Sequence, residues 1–85
     1  MQQLNYAEIG TRIRNVRRAK GWSRDVLAQK CGISSYFVGH IERGTRRMSM
    51  DTFVNLCRAL ETDADMLLWG GVRFAGSEVW EMRGR

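Results

Sequence analysis

The sequence predicts an all-α fold, a compact five-helix domain with a short C-terminal extension. Three observations support this prediction. The 85 residues contain no proline, apolar residues recur at steps of three and four, and almost every predicted helix begins at Ser or Asp or ends near Gly. With 44% hydrophobic residues the chain can bury one modest core. We expect the helical domain in residues 1–68 and the extension in residues 69–85.

The first two helices follow from apolar spacing and from glycines. The first is predicted over residues 5–19 and is ended by Gly21; its apolar face carries Tyr6, Ile9, Ile13 and Val16. The second is predicted from an N-cap at Ser23 to Cys31 and is ended by Gly32. Its inward positions are Val26, Leu27 and Cys31.

Three more helices are predicted after Gly32. The third begins at the Ser34 cap and runs to about Glu42, before Gly44. The fourth begins at the Ser49 cap, and its expected inward residues are Met50, Phe53, Val54, Leu56, Cys57 and Leu60. Asp63 caps a short fifth helix that contains Met66 and Leu67.

The spacing across the second and third helices is typical of a helix-turn-helix. Counting from Arg24, a small residue falls at position five (Ala28) and a glycine at position nine (Gly32). A small residue lets two helices cross closely, and glycine supplies the positive φ of a tight turn. Val38 and Ile41 then pack the third helix onto the second. Two unrelated helices of a small bundle would not be expected to meet all these constraints.

The positive charge is concentrated around this motif. Residues 10–47 hold ten Lys/Arg and two acids, a net charge of +8, whereas residues 48–85 have a net charge of −2. A basic segment of this kind is typical of a nucleic-acid-binding protein. A solvated basic surface is the alternative, and charge alone does not separate the two.

Residues 9–68 resemble the phage-repressor (Cro-like, XRE) helix-turn-helix family of DNA-binding transcriptional regulators. The matching pattern is "IGTRIRNVRRAKGWSRDVLAQKCGIS…IERG…S…LCRAL…DMLL", and "IERG" is among its most specific pieces. The resemblance implies a repressor-like domain that binds double-stranded DNA. We expect a repressor that binds a near-palindromic operator as a homodimer. The family usually has Gln where this chain has Arg24, which implies a charged phosphate contact in place of a neutral one.

The third helix is the expected recognition helix, placed in a major groove. Its outward positions are Ser35, Tyr36, Gly39 and His40, with Arg43 one turn later. Tyr36 can reach a base edge, a phosphate or a thymine methyl group. His40 can donate to guanine or reach a phosphate, or it can be a solvated surface residue. Gly39 either lets the backbone approach DNA or only relieves crowding.

Expected phosphate contacts lie on both sides of this helix. They are Ser23 and Arg24 on one side, and Arg43, Arg46 and Arg47 on the other. Ser34 and Ser35 lie at the positive end of the third helix, where backbone amides favour a phosphate. Arg46 or Arg47 is also a candidate for a minor groove. The resemblance implies that Arg17 pairs with Glu42, and we assign this pair to structure.

The C-terminal extension is unusually apolar for a surface segment. With the fifth helix it is expected to form a two-fold dimer interface, in which the candidate residues are Met66, Trp69, Val72, Phe74, Val79, Trp80 and Met82. Its sequence suits a short hairpin around "AGSE", and a helix capped by Ser77 is the second choice. The alternative is an extension that packs on its own core.

Other classes of function find little support in the sequence. One histidine and two cysteines on inward faces do not supply a zinc site, and no catalytic motif is present, so we expect neither an enzyme nor a cofactor. No membrane span or signal peptide is evident, which favours the cytoplasm, and no domain for sensing a small-molecule effector is evident. The alternative to a DNA-binding regulator is a protein-interaction module of the same fold, such as an antitoxin that binds a partner protein.

Overall fold

The computed structural model describes residues 3–71, and this part of the chain is all-α, as predicted. Its five helices are α1 Tyr6–Ala19, α2 Arg24–Cys31, α3 Ser35–Arg43, α4 Met50–Leu60 and α5 Ala64–Trp69. Helix α5 therefore continues one residue past the predicted domain boundary at residue 68. The hairpin or helix predicted for the extension falls in residues 72–85, outside the described residues.

Side-chain caps explain where most of the helices begin. Ser23, Ser34 and Ser49 each accept a backbone N–H of the following turn, at 3.0–3.2 Å, as the sequence predicted. Asn5 does the same for α1. Asp63 occupies the N-cap position of α5, but its side chain makes no capping hydrogen bond. The short α5 therefore depends more on packing than on its cap.

Helix α1 is the centre of the described domain. It packs against α3, α4 and α5, and α2 packs against α3 and α4. The buried apolar residues are Ile9, Ile13, Leu27, Ala28, Cys31, Val38, Ile41, Leu56, Leu60 and Leu67. This single core is built from all five helices, so the orientation of α3 depends on α1 and α2 together.

Two residues of α4 that were predicted to face inward are exposed. Met50 is 74% exposed and Val54 is 40% exposed, so this part of the prediction was wrong. The buried face of α4 is centred on Leu56 and Leu60, which are at most 1% exposed. At 3.6 residues per turn, Met50 and Val54 lie roughly 100–140° around the helix from that centre. Apolar character alone had assigned them to the core.

Helices α1 and α3 approach each other to backbone contact. A Cβ atom added to Gly10 would lie 2.2 Å from the carbonyl oxygen of Ile41 and 2.5 Å from that of Glu42. A Cβ atom added to Gly44, which has a φ of +73°, would lie 2.5 Å from the Cα atom of Ala7. The missing side chains of these two glycines therefore set the distance between α1 and α3.

Candidate nucleic-acid interface

Helices α2 and α3 form the helix-turn-helix that the spacing predicted. Gly32 ends α2 with a φ of 70°, which reverses the chain in a few residues. Ala28 is 4% exposed and lies in the core. Val38 and Ile41 are each 1% exposed. The inward face of α3 is thus fixed on the core, and its other face is open.

Tyr36 is the most prominent side chain on the open face of α3. It is 70% exposed, whereas its neighbour Phe37 is half-buried and packs against the core. The Tyr36 ring meets the His40 ring edge to face, with centroids 4.6 Å apart and planes at 79°. Such pairs add a modest stabilisation. The contact holds the Tyr36 ring on the surface without covering it.

His40 is more enclosed than its outward position predicted. Its Nδ1 atom lies 2.7 Å from the Thr45 hydroxyl, and its Nε2 atom is buried with no hydrogen-bond partner among residues 3–71. Burial lowers the pKa of His40 below its usual value, and the charges of Arg43 and Arg46 lower the pKa further. The ring is therefore neutral at neutral pH. Because Nδ1 faces Thr45 and Nε2 is buried, a direct phosphate contact by His40 requires the ring to move.

Gly39 was expected to face outward, but in the free protein it is buried. The side chain of Arg43 covers it, because a Cβ atom at Gly39 would lie 3.2 Å from the Arg43 Nη1 atom. The α3 backbone is therefore not open at this point. Contact between Gly39 and DNA remains a prediction and requires Arg43 to swing away.

The two serines at the start of α3 are already engaged within the protein. Ser34 caps the helix, and the Ser35 hydroxyl donates to the carboxylate of Asp25 on α2. Asp25 is exposed, so it places a negative charge beside the first turn of α3. No sequence pattern indicates this contact, since Asp25 has an ordinary position in the first turn of α2.

An ion cluster lies behind α3. Arg17 of α1 pairs with Glu42 of α3 through two hydrogen bonds, Nε to Oε2 at 2.6 Å and Nη2 to Oε1 at 3.1 Å. Its Nη1 atom donates to the carbonyl oxygen of Trp22 at 2.7 Å. Arg24 joins the same carboxylate, with Nε 3.2 Å from Oε1. The predicted pair is therefore formed, and it has a third member.

Three arginines at the end of α3 and after it extend the positive surface. Arg43, Arg46 and Arg47 are all exposed, and the Arg47 guanidinium lies over the Tyr6 ring at 5.3 Å from its centroid. Within residues 3–71, none of these three arginines forms an ion pair. Four of the ten basic residues in residues 10–47 form ion pairs within the protein, namely Arg12, Arg17, Lys20 and Arg24.

Arg12 has a structural role that the periodicity of α1 did not predict. Its Nη1 atom donates to the carbonyl oxygens of Leu67 and Leu68 at 3.1 and 2.9 Å. These are carbonyls in the last turn of α5, which have no partner within the helix. Arg12 therefore ties α5 to α1.

Two of the candidate dimer residues fall within the described part of the chain. Met66 is 44% exposed, and Trp69 is half-buried at the end of α5. Beside α5 lies an apolar groove of about 330 Å³, whose lining includes Leu4, Met50, Phe53 and Leu68. Val72, Phe74, Val79, Trp80 and Met82 lie outside the described residues.

Within residues 3–71 no cluster of His, Cys, Asp and Glu is arranged to hold a metal ion. None of the described helices has the length and apolar character needed to cross a membrane. Cys31 and Cys57 are free thiols, and burial raises the pKa of both. Asp63 raises the pKa of Cys57 further.

Two short capped helices, α2 and α3, joined by a tight glycine turn and packed on a common core, define the class of helix-turn-helix proteins. A family model described as "Helix-turn-helix domain" matches residues 8–69. The chain belongs to this helix-turn-helix family, in its phage-repressor (XRE) branch.

Individual relatives agree with this assignment. The chain is 40% identical over 62 residues to an uncharacterized HTH-type transcriptional regulator of Bacillus subtilis, YazB, covering 72% of this chain and 90% of YazB. The crystal structure of the restriction-modification controller protein C.AhdI from Aeromonas hydrophila is similar, with a TM-score of 0.70, 35% identity, and coverage of 73% of this chain and 94% of that one. The P22 c2 repressor, solved with a synthetic operator, has a TM-score of 0.70 and 28% identity, covering 81% of this chain and 98% of that one.

Proposed function

We propose that this chain, a DNA-binding transcriptional regulator, is a repressor that binds a near-palindromic operator as a homodimer. One observation carries the proposal. Between residues 35 and 47 the only acid is Glu42, whose side chain is 1% exposed and paired with arginine. The exposed face of this stretch therefore presents Tyr36 and three arginines, Arg43, Arg46 and Arg47. Such a face is complementary to the phosphates and base edges of a major groove.

In this proposal some side chains contact base edges and determine sequence specificity, and others contact phosphates of the DNA backbone. Tyr36 reads base edges, and His40 supports the Tyr36 ring through its edge-to-face contact. Arg43, Arg46 and Arg47 contact phosphates on one side of α3, and Ser23, Arg24 and Ser34 contact phosphates on the other. Ser35 contacts DNA only after its hydrogen bond to Asp25 breaks, and Gly39 contacts DNA only after the Arg43 side chain moves away.

The protein-interaction module is the less favoured alternative. An apolar or acidic α3 face would suit a protein partner, whereas this face is basic. The P22 c2 repressor, a relative solved on an operator, also supports DNA binding. The place of action that we propose is the cytoplasm, where DNA is accessible and where the free thiols Cys31 and Cys57 stay reduced.

The first test of this function is the salt dependence of binding. The operator is obtained by selecting bound sites from a random DNA library, and its affinity is then measured from low to moderate salt. With roughly six to eight phosphates neutralised per dimer, log K should fall with log[salt] at a slope of about −5 to −7. Arg47→Ala should weaken binding to every sequence and flatten the slope. The matched control is Arg58→Ala, an exposed arginine of α4 outside the motif, which should leave the slope unchanged.

The second part of this test separates base contacts from phosphate contacts. Tyr36→Ala should weaken operator binding by about 1–3 kcal/mol and binding to random DNA very little. The variant removes a contact to a base but leaves every phosphate contact in place. A ratio of operator to random-DNA affinity equal to that of the wild type would show that α3 is not the reader. Absence of binding to any DNA at low salt would contradict the proposed function itself.

The dimer interface is tested by truncation. We propose that residues 69–85 and α5 form an isologous interface, supported by the exposed Met66 and the apolar groove beside α5. Truncation after Gly70 should leave a folded and mostly monomeric domain. It should bind the operator roughly tenfold more weakly or worse, because the two half-sites are no longer linked. Sedimentation measures the oligomeric state, and a truncated chain that remains a dimer would place the interface elsewhere.

A further inference from the structure

Arg24 stands at the surface of the motif but is anchored to a buried group. It is the first residue of α2, and its side chain is 45% exposed. Its Nε atom lies 3.2 Å from Oε1 of Glu42, a carboxylate that is 1% exposed on the last turn of α3. An arginine at the solvent boundary is thus bound to a fixed point in the interior.

The Glu42 carboxylate is held rigidly enough to act as such a point. Arg17 grips it from α1 with two hydrogen bonds, of 2.6 and 3.1 Å, and is itself held by the Trp22 carbonyl oxygen. Two-point binding between guanidinium and carboxylate fixes both planes. A carboxylate has about four acceptor sites, so Glu42 can accept the third bond from Arg24 without releasing Arg17.

The bond to Glu42 leaves the outer edge of Arg24 available. It uses Nε alone, and in residues 3–71 neither Nη1 nor Nη2 of Arg24 has a hydrogen-bond partner. A guanidinium carries five N–H donors in one plane, so four remain. The cluster of two arginines and one glutamate keeps a net charge of +1. Both geometry and charge therefore favour an anion at the outer edge of Arg24.

We infer that Glu42 is a positioning residue for DNA binding: it orients the guanidinium of Arg24 so that Nη1 and Nη2 bind one phosphate of the DNA backbone. The inference rests on the proposed function, since it names how one phosphate contact is arranged. It gives the buried acid a role beyond the fold. An arginine without the bond to Glu42 would lose rotamer freedom each time it bound a phosphate, whereas Arg24 is already oriented.

Arg24→Lys is the decisive variant, with Arg24→Ala as its reference. Lysine keeps the positive charge but has neither the Nε–H that binds Glu42 nor the planar pair of terminal nitrogens. If orientation matters, both variants should weaken operator binding by a similar factor, roughly tenfold. If charge alone matters, Arg24→Lys should bind within about twofold of the wild type, and the inference is overturned. Because Arg24 is half exposed, both variants should stay folded, which thermal melting checks.

A measurement on the free protein examines the anchor itself. The Nε–H of Arg24 should give an NMR signal protected from solvent exchange in the wild type and unprotected in Glu42→Leu, which has no acceptor. If Glu42→Leu does not fold, protection in the wild type together with the Arg24→Lys affinity still decides the question. An unprotected signal in the wild type would overturn the inference while leaving DNA binding intact. A wild-type protein that binds no DNA would instead overturn the proposed function.

Discussion

Gly10→Ala is expected to destabilise the protein by about 3 kcal/mol or more, a large fraction of the stability of a small domain. The added Cβ atom would stand 2.2 Å from the Ile41 carbonyl oxygen and 2.7 Å from the Glu42 carbonyl carbon. These are backbone atoms of α3, so no side chain can turn away to make room. The helices must separate, which opens the core between them. Thermal melting should show a midpoint lower by roughly 12–24 °C.

Gly39→Ala is the matched control, because Gly39 is also a buried glycine within a helix. The atoms nearest to a Cβ atom there belong to the flexible Arg43 side chain, at 3.2 Å and beyond. Alanine favours a helix over glycine by about 1 kcal/mol, so this variant should be equally stable or more stable. If the two variants melt alike, the close contact of α1 and α3 is not what determines stability.

Most of the fold could be predicted from local signals. Serine caps and glycine ends placed the boundaries of α2 and α3, because a cap is a contact within four residues and is therefore visible in sequence. The contact at Gly10 could not be predicted, since it depends on how two helices cross. The same holds for Arg12, whose partners on α5 lie more than fifty residues away. Met50 was misassigned because apolar character does not give the helical angle of the buried face.

The sequence predicted which positions face outward at the candidate site, but it did not predict the hydrogen bonds and contacts among their side chains. Helical spacing placed Tyr36 outward, and it is exposed. The same spacing could not show that Ser35 is bound to Asp25 or that Arg43 covers Gly39, because such contacts depend on side-chain conformation. They matter for function, since a group already bonded within the protein must exchange that bond for one to DNA.

The position of α3, the proposed recognition helix, depends on two contacts with α1. Gly10 sets how closely α3 approaches, and Arg17 binds Glu42 near the same place on α3. Glu42 of α3 takes part in both contacts, through its backbone at Gly10 and through its carboxylate at Arg17. A change in either contact should therefore move the proposed DNA-binding face as well as lower stability.

Arg17→Met is expected to cost about 3–5 kcal/mol of folding free energy. Methionine replaces the apolar stem but removes both bonds to Glu42 and the bond to the Trp22 carbonyl oxygen. The carboxylate, 1% exposed, then keeps only its bond to the half-exposed Arg24, and an undercompensated buried charge is costly.

The control for Arg17→Met is Lys20→Met, which breaks the ion pair with Glu61. That pair spans 3.2 Å, but its glutamate side chain is 79% exposed, so solvent screens it and the loss should stay below about 1 kcal/mol. Urea denaturation of both variants gives the comparison. Removing one partner of a buried pair leaves a poorly paired charge away from water, so Arg17→Met must be the more damaging by at least about 2 kcal/mol. Equal losses in the two variants would mean that solvent reaches Glu42 and that its carboxylate is not a fixed anchor for Arg24.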